Sequence, residues 1–402
     1  MKIFLIIIAT SLAAILGLTL VCVGFLFNDR IKSRLRLAVL SIDLLLAVTL
    51  AIGSRFRAEL PSAAVEIFGD IAAVVFMSQL ICIVTVLIAL IVRTIYRRMN
   101  KPVPFNRERR AMLAYGFFYP IVSTAASLYG NQIERNSTVD NFFDIPIDDL
   151  PTELDGFVIA QISDVHLGAY FSLDRLEQLL SRIAEAKPDL LAITGDIFDN
   201  VSMNADAINL VDRYCDRFKH GIWYCHGNHE HHRGIKAIEA GLKPTKIHWL
   251  VNRAEEVKPS LERPLYMVGV DYPMSSMMMP VAEREDRAAM EKNFQRQKHE
   301  YLDEARRGVP SNAVCVLLAH HPEFIDDAIE YNIPLTLTGH THGSQVGIFG
   351  LPLFPIFKYT RGMIRHGKFF GYVHVGNGSW FPFRLGCPPE IAYFTLTKGG
   401  SK

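Results

Sequence analysis

The sequence has no disulfide framework. It holds six cysteines among 402 residues, and none is arranged as C-x-x-C. Cys22 and Cys82 sit inside apolar runs, Cys225 and Cys315 inside expected strands, and Cys215 and Cys387 have no near partner in sequence. Buried free thiols are the expectation, and cysteine usage leaves the compartment open. The chain also lacks an excess of either charge. Lys+Arg at 42 and Asp+Glu at 41 give a formal net charge of +1, so there is no electrostatic footprint for nucleic acid and no such partner is expected. Finally, charge is missing locally: Ile3 to Phe27 carries none.

Such apolar blocks fill residues 1–130. The second run is Leu37 to Gly53, interrupted by Asp43. The third is about Val65 to Val92, with Asp70 near its start, and the fourth is Ala111 to Tyr129, carrying Pro120. A helix needs about 20 apolar residues to cross about 30 Å of hydrocarbon. An all-α transmembrane region of about four helices is expected. The first run is too long for a cleavable signal peptide and shows no clear cleavage site. Arg30, Lys32, Arg34 and Arg36 follow the first run. Arg93, Arg97, Arg98, Lys101, Arg107, Arg109 and Arg110 follow the third. These basic loops belong on the cytoplasmic side. Four crossings then make this a multi-pass cell (inner) membrane protein with residues after Tyr129 extracytoplasmic. Asp43 has no second charge to pair with in mid-span, so a structural contact inside the bundle is expected rather than an ion path.

Residues 131–153 are polar and acidic, with Glu134, Asp140, Asp144, Asp148 and Asp149 alongside Pro146 and Pro151, and are expected to be a linker. From 154 to 402 the pattern is that of a folded α/β domain. Short apolar runs at 157–162, 190–194, 221–225, 265–270, 313–318 and 335–338 predict buried strands. Leu176, Leu179, Leu180 and Ile183 share one face of a helix predicted over 173–186. Glu283 to Arg307 alternates in charge and predicts a solvated helix.

The polar residues of this domain stand where the strands end. Ser163-Asp164-Val165-His166 follows the first strand, Gly195-Asp196-Ile197-Phe198-Asp199 the second and Gly227-Asn228-His229-Glu230 the third. His320-His321 and Gly339-His340-Thr341-His342-Gly343 follow two later ones. Side chains at carboxyl ends of strands converge in one crevice. The glycines before Asp196, Asn228 and His340 permit tight turns that aim those side chains. Carboxylate, amide oxygen and imidazole together suit Mn, Fe or Zn. Asp164, His166, Asp196, Asn228, His320, His340 and His342 are more ligands than one tetrahedral zinc requires. They suffice for two metals sharing a carboxylate, the arrangement that clamps an in-line displacement at phosphorus. Each motif alone has a bland explanation: Asp199 as a helix cap, a single histidine as a satisfied structural residue. Their ordered succession does not.

The series resembles the calcineurin-like metallophosphoesterase superfamily over about Asp155 to Lys398. GFVIAQISDVHLG at 156–168, GHTHGSQ at 339–345 and RLGCPPEI at 384–391 are similar to the membrane-associated branch typified by YkuE-like proteins. The resemblance implies a four-layer sandwich, two mixed sheets flanked by helices. It implies one metal on Asp164, His166 and His342, a second on Asn228, His320 and His340, and Asp196 bridging them. It further implies His229 as the general acid, oriented by Asp199, with a metal-bridging hydroxide attacking a phosphomonoester or phosphodiester. His226 and His231 receive no role, and His321 is expected to line the cleft.

The substrate is not named by these residues. The apolar segment Ile348 to Ile364, and Met274 with Met277 to Met279, suit either a lipid-linked ester and contact with the bilayer or packing within the domain and against the helices, and the two readings stand level. Two other classes remain: a non-catalytic metal-binding sensor or scaffold, which has no use for a general acid, and a transporter, which the lack of paired intramembrane charges disfavours.

Overall fold

The computed structural model describes residues 15–24, 29–55, 62–99, 118–258, 263–274, 287–379 and 381–399. It divides into two compact units. One is Met1–Ile133 with Phe381–Phe383, the other Glu134–Trp380 with Arg384–Lys402.

In the first unit the described residues up to Ile133 are helical. Among them, one helix is long and apolar enough to cross a bilayer, Ala63–Tyr96, with a mean hydropathy of 2.8 and only 17% of its most apolar window buried. Helix Asp29–Arg55 runs unbroken through both the basic cluster and the second apolar run. Of the first run, Ile15–Gly24 is described, and of the fourth, helix Phe118–Leu128. Asp43 meets the expectation of a structural contact: its Oδ1 accepts a 2.6 Å hydrogen bond from Gln79, an amide that also lies 3.5 Å from Thr19 Oγ1.

The second unit holds two mixed six-stranded sheets. The first runs in the order β1-β14-β2-β3-β4-β5, built from Val139–Ile147 (β1), Val158–Ile162 (β2), Leu190–Thr194 (β3), Ile222–Cys225 (β4), His248–Trp249 (β5) and Glu390–Lys398 (β14). The second runs β12-β13-β9-β8-β7-β6, from Arg253–Lys258 (β6), Leu265–Gly269 (β7), Val314–Leu318 (β8), Leu335–Thr338 (β9), Gly362–His366 (β12) and Phe369–Val373 (β13). A small hairpin, Gly347–Ile348 (β10) with Leu351–Pro352 (β11), stands apart. Strands β2 to β5 are parallel neighbours, as are β7 to β9.

The period of two decides the layers. Ile159, Leu190 and Ala192 face a core shared with Leu265, Val316 and Leu337 of the other sheet. Their neighbours Ala160, Ile162, Leu191 and Ile193 face Leu176, Leu180 and Ile183 of helix Leu173–Ala186 on the outside. A third core packs the far face of the second sheet against Leu302 and Phe324. The result is the expected four-layer sandwich of helix, sheet, sheet and helix. Gln161 is the one polar side chain of β2, and it ties the sheets together, its Nε2 donating to Thr194 Oγ1 at 2.8 Å and to Thr338 O at 3.0 Å.

The stretch expected to be a linker is instead folded. A π-turn at Tyr129–Ile133 leads to β1, which pairs in parallel along the whole of β14. Its acidic residues alternate with Phe143, Ile145 and Ile147, and Pro146 is tolerated because β1 is an edge strand. Helix Arg287–Ala305, within the charged stretch, also departs from a purely solvated face. Lys298 is 2% exposed and paired with Asp327 at 2.9 Å.

That buried pair yields a prediction. Asp327→Ala leaves the buried Lys298 ammonium with only the more distant Glu323 Oε2, at 3.8 Å, and should cost up to about 3–5 kcal/mol in denaturant unfolding. Lys298→Met together with Asp327→Leu should recover most of that loss.

Candidate metal centre

The loops after β2, β3, β4, β8 and β9 meet at one point. Asp164, His166, Asp196, His320 and His342 are all buried. Asp164, His166 and His342 form one cluster and Asp196, His320 and His340 another, with ligand atoms within 4.8 Å of one another in each. In the first, the Nε2 atoms of His166 and His342 lie 2.9 Å apart, and Asp164 Oδ1 lies 3.4 Å from the latter. In the second, His340 Nδ1 is 2.9 Å from Asn228 Oδ1 and 3.3 Å from His320 Nε2. Asp196 Oδ2 stands between them, 3.7 Å from His166 Nε2 and 3.1 Å from His320 Nε2. All seven residues singled out as ligands in the sequence therefore converge. Ring nitrogens and carboxylate oxygens converging at such distances, shielded from water, fit divalent cations of the borderline class.

The backbone is bent to achieve this. Asp164, His166, Asp196, His340 and His342 all take positive φ, between 50° and 75°, a region that side chains bearing a Cβ seldom adopt and that gathers at functional sites. The glycines serve differently from one another. Gly195 turns with φ +83°, as expected. Gly227 does not, at φ −106°; it is needed for room, because a Cβ there would lie 2.1 Å from Asp196 Oδ1. At Gly339 a Cβ would meet Ser163 Oγ at 2.0 Å.

Outer groups fix several of these residues and the loops that carry them. Ser163 Oγ donates to Asp164 Oδ2 at 2.6 Å. His320 Nδ1 donates to Thr194 O at 2.7 Å, leaving Nε2 to face the site. Glu230, fully buried, accepts from the N–H groups of Gly227, Asp196, Ile197 and Phe198 at 2.7–3.2 Å, and so locks two ligand loops together. Asn377 accepts from Ser163 N and donates to Glu390 O. The Arg384 guanidinium, also buried, donates to the carbonyls of Val375, Gly376, Gly378 and Cys387. None of these five supports was assigned a role from sequence; Glu230 and Arg384 lie inside motifs already noted, Ser163 sits beside a ligand, and the rest carried no signal.

His229 lines the cavity beside the cluster. Its Nδ1 is 2.8 Å from Asp199 Oδ1, which also takes a bond from Arg233 at 2.8 Å. Burial draws the His229 pKa down, but the hydrogen bond it donates to Asp199 and the charge of Asp196 outweigh it and raise it above the ordinary value. Burial likewise pushes Asp199 up, and His229, His166 and Arg233 overcome it, so its carboxyl stays well below the usual range.

His226 and His231 are gathered by Asp271, whose Oδ1 lies 3.1 Å and 2.9 Å from their ring nitrogens. This trio is not a second metal site, because the Trp249 indole donates to His226 Nε2 at 2.7 Å and occupies its lone pair. His321 does not line the cavity as expected. It packs among Phe294, Phe357 and Tyr272, where burial lowers its pKa to about 3.

Comparison with known proteins agrees with this geometry. Residues 157–344 match the family described as "Calcineurin-like phosphoesterase". The metallophosphoesterase YkuE of Bacillus subtilis is 30% identical over 61% of this chain and 81% of its own. A "Transmembrane protein with metallophosphoesterase domain" of Danio rerio is 25% identical over 74% of this chain and 68% of its own. The "Phosphodiesterase YaeI" of Escherichia coli is 27% identical over 60% and 82%.

Glu230→Ala frees four buried N–H groups that set Asp196. Metal affinity should fall roughly 10–100-fold, measured by metal content after dialysis against a chelator series, while the domain stays folded by circular dichroism.

Proposed function

This chain belongs to the calcineurin-like phosphoesterases, metal-dependent hydrolases of phosphoric esters, and on that premise we propose that it works with two divalent ions sharing Asp196. The observation that carries this is the position of Asp196 Oδ2 between His166 Nε2 and His320 Nε2, at 3.7 Å and 3.1 Å. Asp164, His166 and His342 would hold one ion and Asn228, His320 and His340 the other. Mn, Fe and Zn all suit this set of nitrogen and oxygen donors. The ions would supply a hydroxide at neutral pH and offset the charge that builds on the phosphoryl oxygens.

The chain's own residues do the rest. Asp199, kept ionised, holds His229 Nδ1–H and aims Nε2 into the cavity. A proton carried on that nitrogen would be in place for the departing oxygen of the ester. Asn228, His229 and Thr341 line a cavity of about 400 Å³, large enough for a phosphoryl group with part of its alcohol. The name of the Escherichia coli relative favours a diester over a monoester.

We also infer that the protein is anchored in a membrane. Helix Ala63–Tyr96 supports this, as does the name of the Danio rerio relative. The basic residues after the first and third apolar runs favour a multi-pass protein with the metal centre on the extracytoplasmic side. Protease added to sealed right-side-out vesicles should cleave beyond Tyr129; full protection would reverse the orientation.

The chemical reading is tested with the full chain in detergent, loaded with Mn and given p-nitrophenyl phosphate and bis-p-nitrophenyl phosphate. Asp196→Asn should lose turnover altogether. His229→Ala should retain metal and lose about 10²–10⁴-fold in kcat on a phosphate ester with an alkyl leaving group, which needs a proton as it departs, and far less on the p-nitrophenyl esters, whose phenolate leaves unprotonated. Equal turnover of the alkyl ester by His229→Ala and the unaltered chain would remove its role as acid.

A further inference from the structure

From Val346 to Phe357 the chain carries no charged residue, yet it is not part of the core. It forms the β10–β11 hairpin and the strap that follows. Phe349 at the turn is 100% exposed, Ile356 84% and Leu351 71%, with Ile348, Leu353 and Phe354 about half exposed. The turn has positive φ at both central residues, 50° at Phe349 and 80° at Gly350, the geometry in which asparagine or glycine is favoured. A bulky aromatic residue in that conformation is an outlier, and one left wholly in water contributes nothing to the fold. The hairpin is nonetheless firmly held. Arg361 donates to Gly350 O at 3.0 Å and to Gly386 O at 3.1 Å, and Gly347 N donates to Leu385 O at 2.7 Å.

The same strap reaches the metal centre. Phe354, Ile356 and Phe357 form one wall of the cavity whose other wall is Asp196, Asn228, His229 and His340. An apolar surface is thus continuous from the hairpin tip to within the reacting space. Lys358 pairs with Asp326 at 2.9 Å and Arg361 holds the carbonyls of Gly350 and Gly386, while Arg365 and Lys368, a few residues further along the chain, are exposed. An exposed apolar tip followed in the chain by exposed cations suits a lipid surface, which takes up the side chains and, where anionic, attracts the charge.

We propose that the hairpin inserts into the bilayer interface and admits to the metal centre a phosphate ester bearing an alkyl chain, the chain lying along Phe354 and Ile356. This rests on the phosphoesterase reading above and adds the substrate class and the docking surface. The bilayer is favoured over a protein partner because the chain itself carries a helix suited to crossing one.

The test uses the full chain reconstituted in vesicles of phosphatidylglycerol and phosphatidylcholine brominated along its acyl chains. Phe349→Trp should add fluorescence that brominated lipid quenches, beyond the quenching of the unsubstituted chain. In parallel, p-nitrophenyl methyl phosphate and p-nitrophenyl hexadecyl phosphate differ only in the alkyl group. The hexadecyl ester should have a kcat/KM at least about tenfold higher, on the order of a buried hydrocarbon segment. Phe349→Ser should abolish most of that preference and leave the methyl ester within about twofold. An added Trp that is blue-shifted but not quenched means the hairpin packs on protein, and overturns the proposal. So does equal turnover of the two esters. Loss of turnover on both esters by the unaltered, metal-loaded chain would strike the phosphoesterase reading instead.

Discussion

The whole domain is arranged around one cluster of buried metal-binding groups. Two imidazole nitrogens 2.9 Å apart, with the oxygens of Asp164 and Asp196 beside them and all buried from solvent, form a set of donors that a divalent cation would stabilise. Five of the seven candidate ligands hold a backbone conformation that costs of order 1–3 kcal/mol each. The remainder of the sandwich has to be stiff enough to impose that. Parallel strands with largely apolar interiors provide the stiffness, and the ligands stand at their carboxyl ends, where the chain is free to turn.

The stiffness is passed to the ligands through buried polar groups. Glu230 draws four N–H groups from two loops. Arg384 plays the mirror role, spending its donors on carbonyls of the loop that runs past Asp164 and His342. Each of these residues is fully satisfied, which is why a charged side chain at 0% exposure is tolerable. Asp199 serves a different end. It accepts from both Arg233 and His229, and so ties the proposed proton donor to the protein.

Much of this was legible in the sequence because the ligands follow strands with strong apolar signatures. Strands β2, β3, β4, β7, β8 and β9 lie within a residue of their predicted bounds, and all seven ligands converge. What stayed hidden has physical reasons. Strand β1 alternates acids with hydrophobes and carries a proline, so by composition it passes for a linker; only its pairing with β14, over 240 residues away in sequence, makes it a strand. Lys298 lies in a helix that looks solvated, and its burial follows from Asp327 on another helix. Glu230, Asn377 and Arg384 act through backbone groups of distant loops, and no spacing rule encodes such contacts. The apolar runs at the N-terminus were plain to see, yet residues 3–14 and 111–117 lie outside the described residues, as do 277–279.

The central claim is that one carboxylate, Asp196, is shared by two ions. Low-temperature electron paramagnetic resonance of the Mn-loaded full chain tests it most directly. Two ions about 3.5–4 Å apart and bridged by Asp196 give a spin-coupled multiline spectrum, which Asp196→Asn should convert to uncoupled signals. A simple six-line spectrum of isolated Mn at every loading would contradict the shared site.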